Sequence, residues 1–220
     1  MGIALKGGNS SFVLPKPPRF ITPEEEAALK AEDERREAWE RFRRSGVPER
    51  YRAASLADCP QAVQDWAASI QGADKGGWLV LAGSNGTGKT YAAAAVANAN
   101  NARSVRFTTC QAILGEIYDS FSSPERAEAV LYRYTNCRLL VLDDFGKERV
   151  TGDSAQRFFR LIDSRWSNQK ITVFTTNLTP QQLRQHFAQG GGADIAAAIL
   201  DRLLDGRNTF LTLGGDSRRR

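Results

Sequence analysis

Gly83-Ser84-Asn85-Gly86-Thr87-Gly88-Lys89-Thr90 fits the pattern G-x-x-x-x-G-K-[ST], and its neighbours constrain the fold more than any other stretch of the chain. An apolar run, residues 78–82, leads into it, and an alanine-rich stretch, residues 89–100, leads out. Strand, glycine loop and helix in that order require a mostly parallel sheet with the loop at the carboxyl end of a strand. Glycines let backbone N–H groups turn inward around an anion, and the following helix offers its unpaired N-terminal donors to the same anion. Residues Gly83, Ser84, Asn85, Gly86, Thr87, Gly88, Lys89 and Thr90 are therefore expected to hold the phosphates of ATP. Lys89 should reach the β- and γ-phosphates, and the Thr90 hydroxyl should ligate Mg²⁺. The alternative, a glycine turn that binds nothing, suits the strand-loop-helix setting less well.

Leu139-Leu140-Val141-Leu142-Asp143-Asp144-Phe145-Gly146 is an apolar strand that ends in two carboxylates. A buried parallel strand has little reason to finish so unless a cation or a water waits at its carboxyl end. Asp143 is expected to hold Mg²⁺, directly or through water, and Asp144 to polarise the attacking water. Paired acids at strand ends also serve as helix caps, but a phosphate loop about 50 residues upstream favours the catalytic reading. Ile171-Thr172-Val173-Phe174-Thr175-Thr176-Asn177 is another apolar strand with a polar end. Asn177 either begins the turn toward Pro180 or stands beside the γ-phosphate, and the order of the three elements favours the second.

Short apolar runs at 78–82, 105–108, 139–142, 172–175 and 209–213 alternate with helical stretches at 89–100, 111–134 (broken at Pro124), 154–166, 180–187 and 194–204. That alternation predicts an α/β domain on a mostly parallel sheet. With 220 residues, 41% of them hydrophobic, the chain can build one such domain and an arm. Residues 1–20, rich in proline near their end, read as an extended leader. Thr22-Pro23-Glu24-Glu25 then combines an N-cap, a proline at the first helical position and a capping-box glutamate, and opens a charged helix that stops before Ser45-Gly46. Trp39 and Phe42 stand out on it. The helix is either solvated and lightly packed, or a partner-binding arm with Trp39 and Phe42 as anchors. The expected division is thus an arm over 1–45 and an ATPase domain over 46–220. Gly190-Gly191-Gly192 reads as a hinge or a long turn before the last helix.

Cys59, Cys110 and Cys137 are widely separated and lack metal-ligand spacing, so they are expected to be reduced, partly buried thiols. No apolar run approaches the roughly 20 residues of a membrane helix, which makes a cytoplasmic protein the expectation. The net charge of +5 permits binding to a polyanion without requiring it.

The phosphate loop, the strand ending in Asp143-Asp144, Thr175-Thr176-Asn177-Leu178 and Ile199-Leu200-Asp201-Arg202-Leu203 occur in the order seen in DnaC-type helicase loaders and the related IstB-type transposition ATPases. Gly46-Val47-Pro48-Glu49-Arg50-Tyr51-Arg52 is also similar to their lead-in. The resemblance covers about residues 46–220. It implies an AAA+ P-loop ATPase with a five-stranded parallel sheet in the order 5-1-4-3-2, a short helical arm and little or no lid domain. It implies that Arg202 is an arginine finger reaching the nucleotide of a neighbouring subunit; the alternative is a surface ion pair with Asp201 or Asp205. Arg219 stands near the family's sensor arginine, or is part of a basic tail. Asp144 replaces the glutamate that relatives often carry, shorter by a methylene. In related initiators, the segment between the second and third strands faces single-stranded DNA. Phe121 is then a stacking candidate, and Arg103, Arg106, Arg126 and Arg133 are phosphate contacts; otherwise Phe121 is core and the arginines are ordinary surface.

Two functions share this ATPase core. One is a loader that uses ATP to place a replicative hexameric helicase, held by the arm, on single-stranded DNA. The other is an IstB-type ATPase that helps a transposase. A small-molecule P-loop kinase is disfavoured, since no arginine-rich lid follows Asn177.

Overall fold

Branched and aliphatic residues fill five short strands: β1 (Trp78–Ala82), β2 (Val105–Thr109), β3 (Leu139–Asp143), β4 (Ile171–Thr176) and β5 (Thr209–Thr212). The computed structural model describes residues 21–100, 104–120 and 123–214. The strands pair in the order β2-β3-β4-β1-β5, every pair parallel, which is the expected order read from the opposite edge. Strands β1, β3 and β4 are buried from end to end, as a sheet covered on both faces demands. Edge strand β5 alternates between half-buried and exposed.

The helices are α1 (Pro23–Ser45), α2 (Gln61–Ser69), α3 (Lys89–Ala99), α4 (Cys110–Asp119), α5 (Pro124–Asn136), α6 (Gly152–Ser167), α7 (Pro180–Gly191) and α8 (Ala193–Leu203). The break expected at Pro124 separates α4 from α5, with the proline in the first turn of α5, where a missing N–H costs nothing. Capping boxes open α6 at Thr151 and Ser154 and α7 at Thr179 and Gln182. The sequence pattern assigns nothing to residues 53–77, where α2 brings Val63, Trp66 and Ala67 into the core and Ile70, just past its end, follows them.

Two apolar layers sandwich the sheet. On one face, Ala92 to Ala97 of α3 are at most 2% exposed and pack on Leu79, Leu81, Val141 and Val173. Small side chains let α3 lie close to the sheet; a bulkier one at Ala94 would overpack by about 1–3 kcal/mol. The other face is aromatic, with Phe145, Phe158, Phe174 and Phe187 under α4 to α8. There Arg165, 1% exposed, donates to the carbonyls of Tyr134, Thr135, Cys137 and Ile171 and to the Thr172 hydroxyl, joining the end of α5 to β4. Cys59, Cys110 and Cys137 are buried free thiols, and burial pushes the Cys110 and Cys137 thiols up from their usual range. Among the described residues, no helix is long and apolar enough to cross a membrane.

Contacts divide the chain into residues 1–36 and 37–220, not at the expected 45/46 boundary. In the first unit, the Thr22 N–H donates to Glu25 and the Glu25 N–H to Thr22, the capping box that the sequence predicted. In the second unit, Phe42 is 8% exposed and belongs to the core, Trp39 stacks on it at 5.7 Å, and the Arg52 guanidinium sits 4.3 Å from the Trp39 ring. This corrects the expectation for Phe42: its ring is covered by its own domain and cannot anchor a partner. The cause is the helix end. Gly46, at φ +79°, lies so close to β2 that a Cβ would come within 2.5 Å of the Phe107 carbonyl oxygen. The glycine run is also neither hinge nor long turn. Helix α7 continues through Gly191, and Gly192 alone, at φ +82°, separates it from α8.

Candidate nucleotide-binding site

The phosphate loop leaves β1 at Gly83 and enters α3 at Lys89, so the sheet, the loop and the helix N-terminus meet at one point. Two glycines are required there. Gly88 caps α3 at φ +91°, and a Cβ on Gly83 would meet the Leu213 carbonyl oxygen at 2.3 Å. Lys89 is buried, and its Nζ donates to the carbonyls of Gly83 (2.8 Å) and Ser84 (2.6 Å), so the ammonium is held within the loop it is expected to serve.

Register across the sheet sets the acids. Asp143, the last residue of β3, is 7% exposed and accepts from Thr90 at 3.0 Å and from Thr175 at 2.6 Å. Burial pushes its carboxyl above the usual carboxylate range, against the two hydroxyl bonds that favour the charge. A partly desolvated carboxylate beside the Thr90 hydroxyl is an oxygen pair suited to a hard divalent cation, and Mg²⁺ fits it. Asp144 follows at φ +57°, a conformation uncommon for a side-chain-bearing residue, with its N–H donated to Thr175 Oγ1 at 2.9 Å. Its carboxylate pairs with Lys147 at 2.7 Å. Thr176 donates to the Phe145 carbonyl at 2.7 Å and the Phe145 N–H to the Thr175 carbonyl at 2.8 Å, so β4 fixes the turn that carries both acids. The sequence reading quoted Thr175 and Thr176 only as part of a motif and gave them no role. The signal was a polar pair at the end of an otherwise apolar strand.

Asn177 Nδ2 donates to Asn85 Oδ1 at 2.9 Å, which ties the end of β4 to the tip of the phosphate loop. Gly86, Gly88, Lys89, Thr90, Asp143, Asp144 and Asn177 all line one open cleft of about 420 Å³. The cleft is also lined by Arg50, Tyr51, Asp58 and Tyr91; the first two belong to the lead-in segment, which carries no site role in the sequence, and Asp58 and Tyr91 carry no sequence signal. There the Tyr91 hydroxyl donates to Asp58 at 2.6 Å, and the Arg50 guanidinium lies 4.7 Å from the Tyr51 ring. Only tertiary packing brings this lead-in segment across the start of α3.

Arg202 does not line that cleft. Its partner is neither Asp201 nor Asp205: Nε and Nη2 donate to Asp163 Oδ1 on α6 at 2.8 and 2.6 Å, because α8 packs along α6. Among the expected DNA contacts, Arg106 instead donates to the Arg44 carbonyl, capping the end of α1, and Arg133 pairs with Glu116 at 2.8 Å. Arg126 is exposed on α5. Arg103, Phe121 and Arg219, like the leader over 1–20, lie outside the described residues.

The profile of the family described as IstB-like ATP binding protein matches residues 48–220. A protein described as ATP-binding in insertion sequence IS232 of Bacillus thuringiensis subsp. berliner is 32% identical over 143 residues, 64% of this chain and 55% of the relative. The replicative helicase loader DnaI of Bacillus subtilis is 30% identical over 151 residues, 66% of this chain and 48% of the relative. This chain therefore spans about half the length of these relatives. Among solved structures, a DnaI crystal structure superposes with a TM-score of 0.64 at 26% identity, covering 76% of this chain and 94% of that one. AMPPCP-bound DnaA from Aquifex aeolicus shares the fold with a TM-score of 0.61 at 16% identity, covering 77% and 51%. The five-stranded parallel sheet with its phosphate loop is thus the AAA+ P-loop fold, and the chain belongs to the IstB-like ATP-binding protein family.

Proposed function

We propose that this chain is an ATPase working as an assembly on DNA, and that it loads a replicative helicase onto single-stranded DNA. The observation that carries the ATPase reading is the meeting of Lys89, Thr90, Asp143, Asp144 and Asn177 around one cleft. Lys89 and the loop N–H groups bind the phosphates. Thr90 and Asp143 would hold Mg²⁺, which supplies charge neutralisation on the phosphate oxygens. Asp144 orients the attacking water, and the Lys147 ammonium must leave its carboxylate for that role. Asn177, which holds Asn85, is the residue assigned to the γ-phosphate. Arg202, outside its own cleft, serves the nucleotide of a neighbouring copy. Arg202→Ala should therefore bind ATP normally but lose turnover roughly a thousandfold, and mixing it with Lys89→Ala protein should restore part of the rate. Full turnover in Arg202→Ala, at concentrations where the wild type self-associates, defeats the assembly.

The helicase-loading reading draws on the likeness to DnaI in both sequence and structure. Residues 1–36 carry the helicase contact, and Arg126 is a phosphate contact for the DNA. A second reading has specific support: the family profile is that of IstB-like ATP-binding proteins and one relative comes from insertion sequence IS232, a setting that suits a helper of a transposase. Pull-down with the chain as bait separates the two. Retention of a replicative helicase, lost on removing residues 1–36, supports loading; retention of a transposase instead replaces it.

A further inference from the structure

Arg202 is held more firmly than a surface arginine needs to be. Besides the two bonds to Asp163, its Nη1 donates to the Ala198 carbonyl at 2.9 Å. Its guanidinium also lies 5.0 Å from the Phe159 ring and 5.3 Å from the Trp166 ring. Trp166 is itself fixed, donating to Asp205 at 3.2 Å. Of the five N–H groups of a guanidinium, these bonds occupy one on each nitrogen. One N–H on each terminal nitrogen is left without an acceptor among the described residues, and the Arg202 side chain remains 22% exposed. Two terminal N–H groups on one rigid plane match a pair of phosphate oxygens.

We infer that Asp163 is a positioning residue for Arg202, presetting the guanidinium so that its unoccupied donors meet the γ-phosphate of the adjoining subunit. The inference rests on the reading of Arg202 as a finger acting in trans. A finger ordered beforehand does not have to give up side-chain freedom when the subunits meet, and an orientation set by Asp163, Phe159 and Trp166 shortens the path to the reactive geometry. Asp163 touches no nucleotide and acts only through Arg202. One oxygen, Oδ1, takes both bonds, so an asparagine at this position keeps the acceptor and removes only the charge.

The full-length chain tests this by ATP turnover, nucleotide affinity and mixing. Asp163→Ala should lose about tenfold to a hundredfold in turnover with unchanged nucleotide affinity. Lys89→Ala protein, which brings an intact Asp163 and Arg202, should repair part of that loss in mixed assemblies. Asp163→Asn should recover most of the turnover lost in Asp163→Ala. Asp163→Glu, which keeps the charge but moves the oxygens by a methylene, should lose several-fold, and it carries the test if the alanine variant does not fold. Wild-type turnover in both Asp163→Ala and Asp163→Glu, with Arg202→Ala impaired, overturns the role of Asp163 and leaves the finger standing. Faster turnover in Asp163→Ala or Asp163→Asn also overturns it, since the carboxylate would then restrain the arginine. A defect that Lys89→Ala protein does not repair assigns the loss to the fold and overturns positioning. Normal turnover in Arg202→Ala instead removes the finger itself.

Discussion

The carboxyl end of the sheet and the α4–α5 region both carry polar residues but use them in opposite ways. At the sheet end, Thr90 and Thr175 both bond to Asp143, joining two strands and a helix, and Asn177 joins Asn85. In α4 and α5, by contrast, Arg133 pairs with Glu116 and Glu128 with Arg160 of α6 at the surface. Convergent polar groups on buried strands make a site whose geometry the backbone enforces. Surface ion pairs such as these are worth about 0–1 kcal/mol each and constrain the region weakly. One region holds its geometry through buried bonds; the other holds its charges in exposed pairs.

The strongest way to break this contrast is at Lys89. Lys89→Ala should weaken nucleotide binding by about 2–5 kcal/mol, because the phosphates lose their buried cation, while circular dichroism and thermal unfolding stay close to wild type. A comparable loss from Arg126→Ala would erase the distinction between the regions.

A second test compares truncations. Removing residues 1–36 should leave stability within about 0.5 kcal/mol, since none of the described residues there, 21–36, belongs to the core. Removing residues 1–45 should cost about 3–5 kcal/mol, because Phe42 leaves the core. Equal melting temperatures for the two truncations would return residues 37–45 to the arm.

Thr175→Val probes the layer behind the acids. The methyl keeps the volume but removes the donor to Asp143 and the acceptor for the Asp144 N–H. Mg²⁺-dependent nucleotide affinity should fall roughly tenfold. The pH response gives this sign: burial raises the Asp143 carboxyl in the folded chain, so the folded state binds the proton more tightly than the unfolded one. In the absence of Mg²⁺, Asp143 therefore favours the fold most below its unfolded range, and that contribution is lost as pH rises through the raised folded value. Mg²⁺ needs the ionised form, so its effect on nucleotide affinity should weaken as the medium becomes mildly acidic. In Asp143→Asn this pH dependence should vanish from calorimetric titrations with Mg²⁺; its persistence would assign it elsewhere.

The smallest effect belongs to α5. Arg126→Ala should reduce the slope of log affinity for single-stranded DNA against log salt by about 0.7, one phosphate contact, without touching nucleotide binding. An unchanged slope removes Arg126 from the DNA surface.

The strand order is implied only by the family resemblance, whereas the chain by itself declares the phosphate loop, the acid-ended strand and most helix limits. Each of these rests on short-range rules: glycine where φ is positive, apolar runs where a strand is buried, caps where N–H groups are orphaned. Residues 83–90 and 139–146 could be read for that reason, and so could the capping box at Thr22. Tertiary structure alone decided which side chains answer one another over long separations. Asp163 is 39 residues from Arg202, and Thr175 is 32 from Asp143. Nothing local distinguishes Asp163 from Asp201 or Asp205 as the partner of an arginine, and nothing local says that Phe42 turns inward while Leu29, 51% exposed, does not. Those choices follow from α8 lying along α6 and from Gly46 turning the chain against β2. Ion pairs and core contacts depend on distance in space, and only the packed sheet and helices set that distance.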